Sequence, residues 1–118
     1  MSILEFGRKG EKEAVRFLKK NKFKILDTNY YTRFGEIDIV AYDKKEKEFV
    51  FVEVKTRSNR AFGYPEDSVV GAKMERMERS AQIYIDKEKV KDNFRFDIIA
   101  IELVDENNFE IKHFRNVG

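Results

Sequence analysis

Between Leu4 and Lys20 the apolar residues recur at helical spacing. Leu4, Gly7, Ala14, Val15 and Leu18 gather on one side, and Arg8, Lys9, Lys12, Arg16, Lys19 and Lys20 gather opposite. Ser2 and Glu5 stand in capping-box spacing at the start of this predicted helix. Glu11 falls among its apolar positions, where Gly7 and Gly10 would leave room around it. The pattern then shortens to that of strands: "KFKILDTNYYT", "GEIDIVAYD" and "EFVFVEVKT", the last two joined by the charged turn "DKKEKE". "RSNRAFGYPEDS" has no periodicity and reads as a loop. From about Ala72, Met74, Met77, Ala81, Tyr84 and Ile85 return to helical spacing until near Lys87, and "NFRFDIIAIEL" and "NFEIKHF" read as two further strands. The order α-β-β-β-α-β-β predicts an α/β fold, a mixed sheet flanked by helices.

At 118 residues with no internal linker, residues 1–118 are expected to form a single domain. Charged residues make up 39% of the chain, yet the net charge is only +2, so composition alone does not mark a nucleic-acid binder. The charge is uneven, however: residues 1–35 hold nine Lys/Arg against four Asp/Glu, a weak hint of a polyanionic partner. The absence of cysteine excludes disulfides, thiolate catalysis and thiolate zinc sites. His113 is the only histidine, which argues against a Ser/His/Asp triad. No apolar run approaches the roughly 20 residues of a membrane span, and no charged-then-apolar leader is visible. A cytoplasmic protein without a membrane partner is expected, with any chemistry drawn from carboxylates, lysines, tyrosines or a metal.

The predicted hairpin from Gly35 to Arg57 carries Asp38, Glu53 and Lys55 within its apolar runs. If Tyr42 lies opposite Phe49 at the turn, Asp38 lies opposite Glu53, and alternation puts Lys55 on the same face. Directly opposed carboxylates destabilise a sheet, and Lys55 can neutralise only one of them. A hard divalent cation suits the remainder, with the Val54 carbonyl as a third possible ligand. The competing reading is a solvated, salt-bridged face, the commoner meaning of an isolated Glu-x-Lys. A site has the advantage of accounting together for the opposed Asp38, the apolar flanks and the misplaced Glu11.

In order, "GRKGEKEAVRFLKK", "GEIDIVA", "FVFVEVKTR", "FGYPEDSVV" to Lys73, and "RFDIIAI" resemble the YraN family of endonuclease-like proteins. That family is similar to archaeal Holliday-junction resolvases and to the restriction-endonuclease-like superfamily, whose signature is Pro-Asp, a spacer, then Asp/Glu-x-Lys. The resemblance implies that Asp38, Glu53 and Lys55 are the signature residues and that Glu11 is the glutamate of the first helix. Ile37 stands where the signature has proline.

The function expected is a nuclease dependent on Mg²⁺ or Mn²⁺ that hydrolyses phosphodiester bonds, with branched DNA a candidate substrate. Glu11, Asp38, Glu53 and Lys55 are the candidate catalytic residues. Asp38, Glu53, the Val54 carbonyl and Glu11 are the candidate metal ligands, and Lys55 would orient the attacking water or offset charge at phosphorus. Arg57, Arg60, Phe62 and Tyr64, with Lys73, are candidate nucleic-acid contacts, because cations and rings together clasp phosphates and stack on bases. DNA is favoured over RNA, and the resemblance to resolvases implies a homodimer. The basic stripe of the first helix is expected to face away from the site, and Asp97, Arg95 and His113 are expected to be structural. The alternative is a protein on the same fold that binds nucleic acid without cutting it.

Overall fold

The computed structural model describes residues 3–58, 71–105 and 108–117. Its elements are α1 (Ile3–Lys20), β1 (Phe23–Thr32), β2 (Gly35–Asp43), β3 (Glu48–Arg57), α2 (Ala72–Glu88), β4 (Phe94–Leu103) and β5 (Phe109–Phe114). The five strands form one sheet in the order β1-β2-β3-β4-β5. The β1–β2, β2–β3 and β4–β5 pairs are antiparallel and β3–β4 is parallel. Parallel neighbours need a crossover, and α2 lies in the one that joins β3 to β4. The mixed sheet flanked by helices is therefore the architecture that the alternation of periods predicts. Among the described residues, no helix is long and apolar enough to cross a membrane.

The two helices cover opposite faces. Ala14 and Leu18 of α1 pack on Ile39, Ala41, Val50, Val52, Ile99 and Ile101. On the other face Ala81 and Tyr84 of α2 meet Ile37, Val40 and Phe51, and Met74 and Met77 meet Ile98. β3 is covered on both sides, which is why Val50, Phe51 and Val52 are consecutive apolar residues and all fully buried.

Two local features set the position of later interest. A Cβ on Gly10 would fall 1.9 Å from Thr56 Oγ1, so α1 meets β3 nearly backbone to side chain one residue before Glu11. The room expected around Glu11 is thus taken up at Gly10 by Thr56, while Gly7 has no neighbouring atom within 4 Å of such a Cβ. The second feature is a break in the alternation of β2. Ile37 packs in the α2-side cluster and Ile39 in the α1-side cluster, although residues two apart in a regular strand share a face. Asp38 lies between them.

At the opposite end of the sheet, the buried Arg95 guanidinium meets Asp97 at 3.0 Å, Asp43 at 2.9 Å and Glu48 at 3.0 Å. Asp97, fully buried, also meets His113 Nε2 at 2.7 Å and accepts the Asn116 N–H at 3.0 Å. Burial alone would raise the Asp97 pKa, but these partners together hold it below the usual carboxylate range.

Two consequences are measurable by urea denaturation. Gly10→Ala should destabilise by about 1–3 kcal/mol through overpacking against Thr56, whereas Gly7→Ala should be neutral or stabilise by up to about 1 kcal/mol. Asp97→Ala should cost about 3–5 kcal/mol, because Arg95 and His113 lose the carboxylate they share.

Candidate active site

β2 and β3 pair from Asp43 opposite Glu48 to Ile39 opposite Val52, with Tyr42 opposite Phe49. Beyond Val52 the partner of β3 changes from backbone to side chain: the Val54 N–H donates to Asp38 Oδ2 at 2.8 Å. Asp38 therefore sits in a fork between the two central strands, held by the backbone that its own kink exposes. On β1 the irregularity continues. Thr28 pairs with Ile39 and Tyr30 with Ile37, and Asn29 between them adopts φ 52°, a left-handed conformation that asparagine tolerates better than most residues.

That turn aims the Asn29 amide at two acids. It donates to Glu11 Oε2 at 3.0 Å and also to Glu36 Oε1. One carboxylate oxygen from each of Glu11, Glu36 and Asp38 lies within 4.8 Å of the others. Glu36 was not singled out from the sequence. Its place two residues before Asp38 in "GEIDIV" is the pattern that could have identified it.

Glu53 has different company. Its Oε1 is 3.2 Å from Lys55 Nζ and 2.8 Å from Lys73 Nζ, so the second strand acid is paired with two lysines. The Val54 group seen to meet the site is its N–H. Arg57 ends β3 half-buried, whereas Arg60, Phe62 and Tyr64, like Ser2, lie outside the described residues.

Burial and neighbouring charge shift three of these groups. Burial, then the neighbouring Glu53 carboxylate, push the Asp38 pKa up to about 8, with Glu11 and Glu36 adding to the effect and only the Val54 N–H opposing it. Lys55 is shifted down, first by burial and then by the adjacent Lys73. For Lys73 burial acts in the same sense but is overcome by Glu53 and Lys55, so its pKa is raised. Of the two amines, Lys55 is the one that gives up its proton first.

Three cavities meet at these acids. One of about 480 Å³ runs along α1, lined by Arg8, Lys12, Arg16 and Lys19 and also by Glu11, Asn29 and Asp38. A second of about 240 Å³ opens on the α2 side between Glu36, Asp38, Glu53, Lys73 and Arg76. A third of about 340 Å³ lies by Leu4, Tyr31, Glu11 and Glu36. The basic stripe of α1 was expected to face away from the site, and the first cavity corrects this. Arg8 is three residues before Glu11 and Lys19 eight after it, so both lie on the flank next to the glutamate, whatever the mean direction of the stripe.

The sign of the Asp38 shift gives a stability test. Folded protein free of divalent cations retains a proton that the unfolded chain releases above pH ~3.8, so this group lowers stability as pH rises to about 8 and adds no further change above it. In EDTA, Asp38→Asn should exceed the wild type in stability by about 1–3 kcal/mol at pH 8 and by less at pH 5. Equal urea midpoints for the two proteins at pH 8 would contradict the electrostatic account.

Comparison with known proteins places the chain in a family. The model described as "Uncharacterised protein family UPF0102" matches residues 10–101. A UPF0102 protein of Acetivibrio thermocellus is 46% identical over 80% of this chain and 73% of its own length. A UPF0102 protein of Alkaliphilus oremlandii is 42% identical over 95% of this chain and 96% of its own. That of Clostridioides difficile is 43% identical over 98% of both. Among solved structures, "Structure of EndoMS-dsDNA2 complex" aligns with 74% of this chain and 44% of its own at 19% identity and a TM-score of 0.33, too distant to bear on the site. On the extent and level of the sequence matches, the chain belongs to the UPF0102 family, the YraN family that its motifs resemble.

Proposed function

We propose that this protein is a metal-dependent nuclease that hydrolyses phosphodiester bonds of nucleic acid, DNA in the first instance. The observation that carries this reading is the grouping of Glu11, Glu36 and Asp38 at the strand fork, with Asp38 driven far from its ordinary pKa and cations lining cavities on both sides. Positive walls draw a polyanion toward the acids, and a cation among the acids would relieve the repulsion that raises the Asp38 pKa.

The donor set fits Mg²⁺ or Mn²⁺, since it offers only carboxylate oxygens and no imidazole or thiolate. Glu11, Glu36 and Asp38 would hold the ion. Glu53 borders the cavity that contains Glu36 and Asp38, and Val54 touches Asp38, so both are within the same neighbourhood. Once bound, such an ion supplies charge neutralisation at phosphate and an acidified water. The chain does the rest. Asn29 orients Glu11 and Glu36, the Val54 N–H orients Asp38, and Glu53 holds Lys55 and Lys73 beside the fork. Lys55, held by Glu53, orients the attacking water or offsets charge developing at phosphorus, and Lys73 faces the phosphate.

The test combines cleavage with calorimetry. On labelled duplex, single-strand, flap and four-way-junction DNA, cutting should require Mg²⁺ or Mn²⁺. Lys55→Ala should slow it by about 100-fold or more with Mn²⁺ affinity largely kept, and Asp38→Asn should weaken Mn²⁺ binding itself. Salt-sensitive binding without cutting of any substrate would instead support the non-catalytic alternative.

A further inference from the structure

We propose that the groove between α1 and β1 is a track for an unpaired DNA strand, with Tyr31 as the platform on which a base stacks beside the acids. This names the form of substrate for the nuclease reading and rests on that reading for the reaction, but not for the binding.

Charge is the first support. Arg8, Lys12, Arg16 and Lys19 are all exposed and lie at steps of four, four and three along α1, a single row down one flank of the helix. Each step of four advances about 6 Å, comparable to one nucleotide of extended backbone. Arg16 pairs with Glu13 at 2.8 Å, with its side chain 71% exposed. Such surface pairs exchange readily for phosphate. Glu11 stands between Arg8 and Lys12 of this row, and the cavity that the row lines also takes in Asp38, so a strand lying along it would have a phosphate beside the fork.

The second support is the ring. Tyr31 is 75% exposed on the edge strand β1, and Leu4 opposite it is 62% exposed. Both border the cavity shared with Glu11 and Glu36, on the side of the acids away from the α2 helix. A large ring left bare beside anions gains nothing from folding, whereas base–aromatic stacking contributes about 1–3 kcal/mol per base.

The exposed ring distinguishes strand from duplex. The cavities, about 480 and 340 Å³, are on the scale of small-molecule sites and accommodate nucleotides of one strand. The bases of a double helix are stacked internally and unavailable to Tyr31.

The experiment is fluorescence anisotropy of labelled oligo-deoxythymidine and of a blunt duplex of equal length, both with Ca²⁺ in place of Mg²⁺. The single strand should bind at least about tenfold tighter. Tyr31→Ala should cost about 5- to 150-fold in affinity for it, with Tyr31→Phe retaining wild-type binding. Arg8→Ala and Lys12→Ala should each flatten the slope of log affinity against log salt by about 0.7. Equal or tighter duplex binding, or no effect of Tyr31→Ala, overturns the track. Mn²⁺ calorimetry on the same samples separates the two readings. Strand preference without metal binding leaves the track and removes the nuclease; metal binding without strand preference does the reverse.

Discussion

The loss of pairing between β2 and β3 beyond Ile39 and Val52 is the constraint on which the rest of the site depends. A continued ladder would have occupied the Val54 N–H with a carbonyl of β2, and Asp38 would have projected from a regular strand. With the strands parted, the carboxylate itself satisfies that N–H. The same kink turns Ile37 to the α2 face and Ile39 to the α1 face, so both helices converge on the fork. Gly10 lets α1 approach β3 closely enough that the next residue, Glu11, reaches Asp38.

Two charge clusters, a half-buried one at the fork and a buried one at the other end of the central strands, show how differently acids can be treated. Asp97 is surrounded by donors: both sides of the Arg95 guanidinium, a histidine nitrogen and a backbone N–H. Its charge is stabilised, and its role is to tie β4 to β5 and the β2–β3 turn. Asp38 has one backbone donor against three carboxylates, and its charge is opposed. A cluster that is internally satisfied needs nothing from outside, while one that is internally frustrated is completed by a ligand. The frustrated cluster is also the one bordered by cavities and cations.

The arrangement of lysines follows the same logic. Glu53 repels the Asp38 carboxylate from one side while pairing with Lys55 and Lys73 on the other. Since Lys55 stands on β3 and Lys73 on α2, the pair also links the sheet to the start of the second helix. Cations therefore border the acids on both sides, the α1 row on one and Lys73 and Arg76 of α2 on the other.

Much of this was legible in the chain. Period alone determined the helices and strands, since an apolar residue must meet the core wherever it falls, and the Tyr42–Phe49 register follows from the hairpin turn. The oddity of Glu11 among apolar positions was likewise visible, because a misplaced charge stands out from any regular pattern. What the tertiary structure alone decided was that Glu36 joins the group. Alternation makes Asp38 and Glu53 neighbours, and Glu53 does raise the Asp38 pKa, but alternation describes an ideal strand, and the kink at Asp38 and the left-handed Asn29 also bring Glu36 beside Glu11 and Asp38. The placement of the α1 basic row beside the site was hidden for a similar reason: a helical wheel gives angles about one axis, whereas distance to the acids depends on how that helix is set down on the sheet.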